Sequence, residues 1–377
     1  MDNRSAEASL LPSAKVIRRG VQGFIIFSGL GTVLSLLWKS PAGFKDLLRD
    51  LQWPFIFGLL PLLALDFILG GWRYALFFDG KVLPRISLWQ CMRSNWANIF
   101  LGAVTPFQTG GGPAQIYMLW RQGAKLSEVM LISIVNLAAT LIFFMTSTIA
   151  AAVLLPADLF GENFTPVLHF SFLIIGGIVA SLLGLLLFPQ TVLGLLRRLL
   201  HLLPLRSQAF ATIRERVLQT LTRETQRFHE TFRLILRQRK WLLLVTVLAT
   251  QVLFANKYLM GYVIARTLGQ EVPFGIFIGL QVIQLFMIYY APTPGASGVA
   301  ELSSVWLMSK VLPPQMLLIY ALLWRFVTTM VGAIIGGVVL LREIKHFGAA
   351  AAVAPASDAL NPVAEVADQS GINIKQI

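Results

Sequence analysis

The sequence predicts an all-α polytopic membrane protein with about seven full spans and two oppositely oriented re-entrant segments, set in inverted, pseudo-symmetric halves. Three observations lead there. The 377 residues are 56% hydrophobic and only 13% charged, far more apolar than a soluble domain. Apolar runs of roughly twenty residues, the length a helix needs to cross a hydrocarbon core, recur at 16–38, 54–78, 129–155, 168–188, 241–264, 274–290 and 315–341. One phrase occurs twice: Thr105-Pro106-Phe107-Gln108-Thr109-Gly110-Gly111-Gly112-Pro113-Ala114-Gln115 is echoed by Ala291-Pro292-Thr293-Pro294-Gly295-Ala296-Ser297-Gly298-Val299-Ala300-Glu301. Each copy reads Pro, five residues, Gly, any residue, Ala, then Gln or Glu. A backbone broken in this way cannot face lipid, where its freed N–H and C=O groups find no partner.

Residues 1–15 are expected to form a cytoplasmic tail, followed at 16–38 by an uncleaved first span. Its apolar part is too long for a signal-peptide core, and no convincing small-x-small cleavage site precedes Trp38. Lys and Arg residues set orientation. Lys81 and Arg85, Arg121 and Lys125, the dense set between Arg197 and Lys240, and Arg342 with Lys345 share one side when the N-terminus is cytoplasmic. The loop 156–166 on the other side contains Asp158 and Glu162 but no Lys or Arg. Both termini are therefore expected in the cytoplasm. The outer loop 39–53 runs against this rule with Lys39, Lys45 and Arg49, partly offset by Asp46 and Asp50.

The first membrane half is then 16–188 and the second 241–341. Because 54–78 ends inside, the chain enters again from the cytoplasm, turns at the first phrase and returns by Arg121, which makes 86–121 re-entrant. The run 274–290 enters from outside, turns at 292–298 and returns outward, which makes 274–312 the opposed re-entrant segment. Inverted repeats let one polypeptide expose a site to each side in turn. A Pro-kinked helix or a tight inter-helix turn is the plainer alternative and needs no transport role.

Between the halves, 189–240 is basic and amphipathic. Phe210, Ile213, Val217, Leu221, Phe228, Phe232 and Ile235 make one apolar stripe at helical spacing, while Arg214, Arg216, Arg223, Arg227, Arg233 and Arg237 fill the remaining surface. This helix is expected on the cytoplasmic leaflet with its arginines toward anionic head groups, although a simply solvated positive face fits as well. The Ala-rich segment 342–377, with Pro355 and Pro362, is expected to be a cytoplasmic tail, disordered from 348 onward.

Catalytic and metal motifs are missing. The single Cys91 excludes an internal disulfide, and the four histidines show no spacing that sets two ligands on one helix face, so no metal or cofactor is expected. No Walker pattern, Gly-x-Ser-x-Gly elbow or paired-carboxylate motif occurs, so the chain reads as a transporter not driven directly by ATP, with an intramembrane enzyme whose catalytic groups lie far apart in sequence as the alternative. The net charge of +13 is assigned to the membrane surface, with no nucleic-acid partner.

Ionisable residues inside spans are costly and need a partner or a purpose. They are Asp66 and Arg73 in the second span, Lys257 beside Asn256, Glu301 at the second phrase, and Arg325 deep in the last run. Arg73 is expected to snorkel to the cytoplasmic edge. Lys257 lies seven residues and Arg325 ten from the nearer span end, too deep for that. They either receive an anionic group in a polar cavity or form ion pairs with Asp66 and Glu301 that lock helices together. The phrases offer a second anion site, since glycines precede helical segments whose amides and dipoles carry partial positive charge. The substrate-binding set is therefore Thr105, Pro106, Gly110, Gly111, Gly112, Gln115, Lys257, Pro294, Gly295, Gly298, Glu301 and Arg325. Asn95, Asn98, Gln108, Gln281 and Gln284 add uncharged hydrogen-bonding groups.

Three motifs carry a family resemblance: Thr-Pro-x-x-x-Gly-Gly at Thr105 with Leu119-Trp120-Arg121 after it, Pro-x-Pro-Gly-x-x-Gly-x-x-Glu ending at Glu301, and Trp324-Arg325-Phe326. Through them the chain resembles, over most of 16–341, the flippase-like transmembrane region of lysylphosphatidylglycerol synthases, a family that includes stand-alone bacterial membrane proteins. The resemblance implies translocation of an anionic, aminoacylated or lipid-linked molecule across the inner membrane, with membrane lipids as partners. Glu301 and Arg325 match polar positions of the family, whereas Gln115 stands where a carboxylate is common. The soluble aminoacyl-transferring domain has no counterpart here, so lipid aminoacylation is not expected. Two alternatives are a non-transporting scaffold that docks a partner enzyme modifying lipids or glycans, and a transporter for a small soluble anion.

Overall fold

A computed structural model describes residues 52–156, 208–289 and 291–353, with isolated helical positions between 19 and 26 and between 173 and 194. The spans expected at 16–38 and 168–188 otherwise lie outside the described residues. Every regular element described is helical: α1 (Trp53–Ala75), α2 (Leu88–Val104), α3 (Gly111–Arg121), α4 (Leu126–Leu154), α5 (Gln208–Arg239), α6 (Trp241–Thr267), α7 (Phe274–Tyr289), α8 (Val299–Met308), α9 (Pro314–Arg325) and α10 (Val331–Val353). Single 3-10 turns, Pro106–Gln108 and Pro294–Ala296, precede α3 and α8. A π turn, Phe326–Met330, joins α9 to α10.

Among the described residues, α1, α4, α6 and the α9–α10 stack from Pro314 to Glu343 are long and apolar enough to cross a membrane. Their outer faces carry large exposed apolar side chains, such as Phe57, Leu60 and Ile68 on α1 and Leu244, Leu248 and Val252 on α6, as lipid contact requires. The run 274–290, counted above as a full span, forms only the 16-residue α7. At the helical rise that is about 24 Å, short of a hydrocarbon core of about 30 Å. The tail also differs from expectation. α10 continues to Val353, because the alanines that follow Gly348 are the best helix formers.

α1 and α6 pack antiparallel, joined by Asp66–Lys257 (2.7 Å), by Asn256 Nδ2 donating to the Leu62 carbonyl (2.9 Å) and by Arg73 Nη1 donating to Thr250 Oγ1 (3.0 Å). α2 and α3 form an antiparallel hairpin. Asn98 Nδ2 donates to Gln115 Oε1 (2.6 Å) near the tip, and Gln90 bonds Gln122 at the open end. The open end is tied to α10 by Arg93–Glu343 at 2.6 Å. Two neighbours grip α2 through glycines. A Cβ on Gly71 of α1 would meet the Met92 backbone nitrogen at 2.7 Å, and one on Gly336 of α10 would strike the Trp96 carbonyl. Small residues let helices approach this closely where no hydrophobic force drives them together.

One buried cluster joins α4, α6, α7, α8 and α9 through residues such as Phe143, Phe254, Phe277 and Tyr320. A second gathers Phe77, Phe78, Leu119 and Ile132 with Phe228, Phe232 and Ile235 of α5. The C-terminal half of the amphipathic stripe on α5 is thus covered by protein rather than by the leaflet, while Arg223, Arg227, Arg233 and Arg237 stay exposed. Arg239 anchors this helix on Asp79 at 2.5 Å. Burial alone would raise the Asp79 carboxyl, but the hydrogen bonds from Arg239 and the Lys81 amide, together with the charges of Arg239 and Lys81, outweigh it and hold the group below the usual carboxylate range.

Candidate functional site

The two Pro/Gly phrases meet. The turn Pro106–Gln108 packs against the turn Pro294–Ala296, and a Cβ on Gly295 would lie 2.5 Å from the Ala103 carbonyl oxygen. Their backbones share a pattern. Proline is followed by two left-handed residues, Phe107 (φ 51°) and Gln108 (φ 56°) in the first, Gly295 (φ 56°) and Ala296 (φ 58°) in the second. Non-glycine residues adopt this region at a cost of about 1–2 kcal/mol each, so packing around the turns must hold Phe107, Gln108 and Ala296 there. By conformation Pro106 corresponds to Pro294, whereas the sequence phrase pairs it with Pro292. The first copy then needs two more residues before its Ala, so Gln115 falls deeper in α3 than Glu301 does in α8.

The first turn is closed by neutral bonds. Thr105 Oγ1 donates to the Leu101 carbonyl (2.6 Å) and accepts from the Gly110 amide (2.8 Å), which ends α2 and positions the start of α3. Gln115 is buried, engaged by Asn98 through its oxygen. Pro106, Phe107, Thr109 and Gly112 are exposed. Gly111 is buried, and a Cβ there would press on Asn98.

The second turn is closed by charge. Glu301 Oε2 accepts from the Gly298 amide (2.6 Å), capping α8, and Oε1 faces Arg325 Nε at 3.5 Å. Arg325 Nη2 also donates to the Gly295 carbonyl and, at 3.5 Å, to Ser297 Oγ. Both charged side chains are 2% exposed. The pair therefore ties the turn to α9 just before the π turn, a distortion often found at functional sites. The Ala296 and Ser297 amides bond the Thr293 and Pro294 carbonyls. With the Gly110 and Gly298 amides also engaged within the chain, these loop amides turn inward.

Lys257 lies apart from the turns, paired with Asp66. Gln281 donates to Tyr320 Oη at 2.5 Å, bridging α7 and α9, while Gln284 is wholly buried and both its polar side-chain atoms lack a partner. Arg73 is tied sideways to α6. Its Nη1 is held by Thr250, about 14 Å along α6 from Trp241 at the 1.5 Å rise. Helix pairing draws it inward, which spacing along α1 alone does not show. Asn98, expected to offer hydrogen bonds to a head group, bonds Gln115. The signal that the sequence offers is a charge count: Asp66 and Glu301 are too few carboxylates for Arg73, Lys257 and Arg325, so one of the three cations is left over. Among the described residues no cluster of His, Cys, Asp and Glu able to hold a metal ion occurs.

Comparison with known proteins places this geometry. The family described as "Lysylphosphatidylglycerol synthase TM region" matches residues 23–336. A "UPF0104 membrane protein" of Archaeoglobus fulgidus is 26% identical over 251 residues, covering 65% of this chain and 73% of the relative.

Proposed function

The chain belongs to the family of the lysylphosphatidylglycerol synthase TM region, and from that premise we propose that it moves an anionic or modified phospholipid, or another lipid-linked molecule, between leaflets of the inner membrane. The observation that carries this reading is the contact between the two broken turns, one from each half of the chain. The arms around them suit half-crossings: α3 and α8 hold 11 and 10 residues, about 15–17 Å each, roughly half a hydrocarbon core. We take the hairpin α2–α3 and the pair α7–α8 as entering from opposite faces, with both termini cytoplasmic. Their tips then meet at mid-depth, where a site is reached from either side.

The energetic problem is the head group. A bare phosphate pays many kcal/mol to leave water for hydrocarbon, and fixed dipoles and cations along the protein offset that cost while the acyl chains stay in lipid. The purified chain in vesicles with head-labelled lipids is expected to speed leaflet exchange above that of protein-free vesicles. An unchanged distribution across anionic, aminoacylated and lipid-linked head groups overturns the reading.

The exposed arginine face of α5 favours a second reading, a scaffold for a lipid- or glycan-modifying enzyme. Neutralising Arg223, Arg227 and Arg233 then removes a partner from pull-downs. For a transporter it leaves leaflet exchange intact.

A further inference from the structure

Among the described membrane-grade helices the deep carboxylates are Asp66 and Glu301, and each already has a cation. Lys257 neutralises the first and Arg325 the second. Arg73 remains. Its Nη1 donates to a neutral hydroxyl, that of Thr250, which itself donates to the Thr246 carbonyl at 2.7 Å. The Nε atom of Arg73 is enclosed and has no hydrogen-bond partner. Asp66, the nearest carboxylate on its own helix, sits two turns back, about 10 Å along the axis.

A guanidinium does not shed its proton at any accessible pH, and an unpaired charge at this depth costs several kcal/mol. The chain holds this cation among Tyr74, Tyr289 and Asp66, which lie close enough to act on it electrostatically. Arg73 is only partly buried, and Tyr289, at the end of α7 where the chain enters the second phrase, keeps 36% of its surface. The position is therefore open on one side.

We propose that Arg73 is the contact for a phosphoryl anion, held by the planar guanidinium with Tyr289 at the rim. This rests on the lipid-transport reading and names the chemistry its substrate brings: an anion whose oxygens pair with two parallel N–H groups. A lipid head group and free phosphate share that chemistry.

The test uses the full chain in detergent, with retention of phosphatidylglycerol followed by native mass spectrometry against diacylglycerol, which lacks phosphate. Wild type is expected to prefer phosphatidylglycerol. Arg73→Gln is expected to weaken its retention at least tenfold and leave diacylglycerol unchanged. Arg73→Lys, which keeps the charge but loses the fork, weakens it several-fold. Millimolar inorganic phosphate that displaces the lipid assigns the site to the free ion; failure to displace it assigns the lipid. Equal retention of the two lipids by wild type overturns the proposal. So does unchanged phosphatidylglycerol retention in Arg73→Gln with a thermal transition lowered as far as in Thr250→Val, since Arg73 then only locks α1 to α6. Should Arg73→Gln fail to fold, wild-type retention by Arg73→Lys overturns it equally. Leaflet exchange separates the two claims. Wild-type exchange rates in Arg73→Gln remove the site and spare the transport reading, whereas Arg73-dependent binding without any exchange does the reverse.

Discussion

The two Pro/Gly turns share a backbone and differ in everything around it. The first exposes Pro106, Phe107 and Thr109 and is closed by a threonine and an amide pair. The second buries Gly295, Ala296 and Ser297 and is closed by the pair Glu301–Arg325. The difference follows from burial. A carbonyl freed by a chain break at an exposed turn meets its needs locally or from solvent, whereas the buried Gly295 carbonyl needs a donor inside the protein. Arg325 supplies it, and Glu301 then balances the charge. The broken backbone is common to both copies, and ionic chemistry appears only where the break is sealed.

Four substitutions test this contrast. Arg325→Ala strands Glu301 and the Gly295 carbonyl together and is expected to cost about 3–5 kcal/mol, read as a large fall in the thermal transition of the purified protein; a fall no larger than that of the uncharged turn breaks the contrast. Gly295→Ala forces a left-handed alanine against the Ala103 carbonyl and is expected to cost about 2–4 kcal/mol. Because that contact joins the turns, it should also slow leaflet exchange in vesicles. Gln115→Leu removes a neutral partner and leaves the Asn98 amide unpaired, at about 1–3 kcal/mol by the same thermal measurement. Gly112→Ala meets nothing within 4 Å at its Cβ and is expected to gain about 0.4–1 kcal/mol from a stiffer unfolded chain. A marked loss there means that the exposed face of the first turn is packed against something else.

Much of the fold was legible. The apolar runs at 54–78, 129–155, 241–264 and 315–341 correspond to α1, α4, α6 and the α9–α10 stack, because hydropathy over twenty residues measures what lipid demands. The break at each phrase was legible too, since Pro and Gly act on their own backbone. What failed were the readings that depend on a neighbour. The snorkelling expected of Arg73 follows from α1 alone, which does not show Thr250 on the helix packed directly against it. The C-terminal half of the α5 stripe, expected on the leaflet, is covered by protein, because periodicity says that a face is apolar, not what covers it. The pairing of Pro106 with Pro292 came from spacing, whereas the turns align by dihedral angle.

The sequence by itself determined the family, the helical and membrane-embedded class, the places where helix must give way, and the charges that had to be compensated there. Each of these is a property of a residue or a short window in contact with solvent or lipid. Only the tertiary structure decided which charge compensates which, that the two turns touch, and that Arg73 is the cation left over. Those are relations between residues distant along the chain, such as Asp66 with Lys257 and Gly295 with Ala103, and they are fixed by helix packing in three dimensions, which no local pattern records.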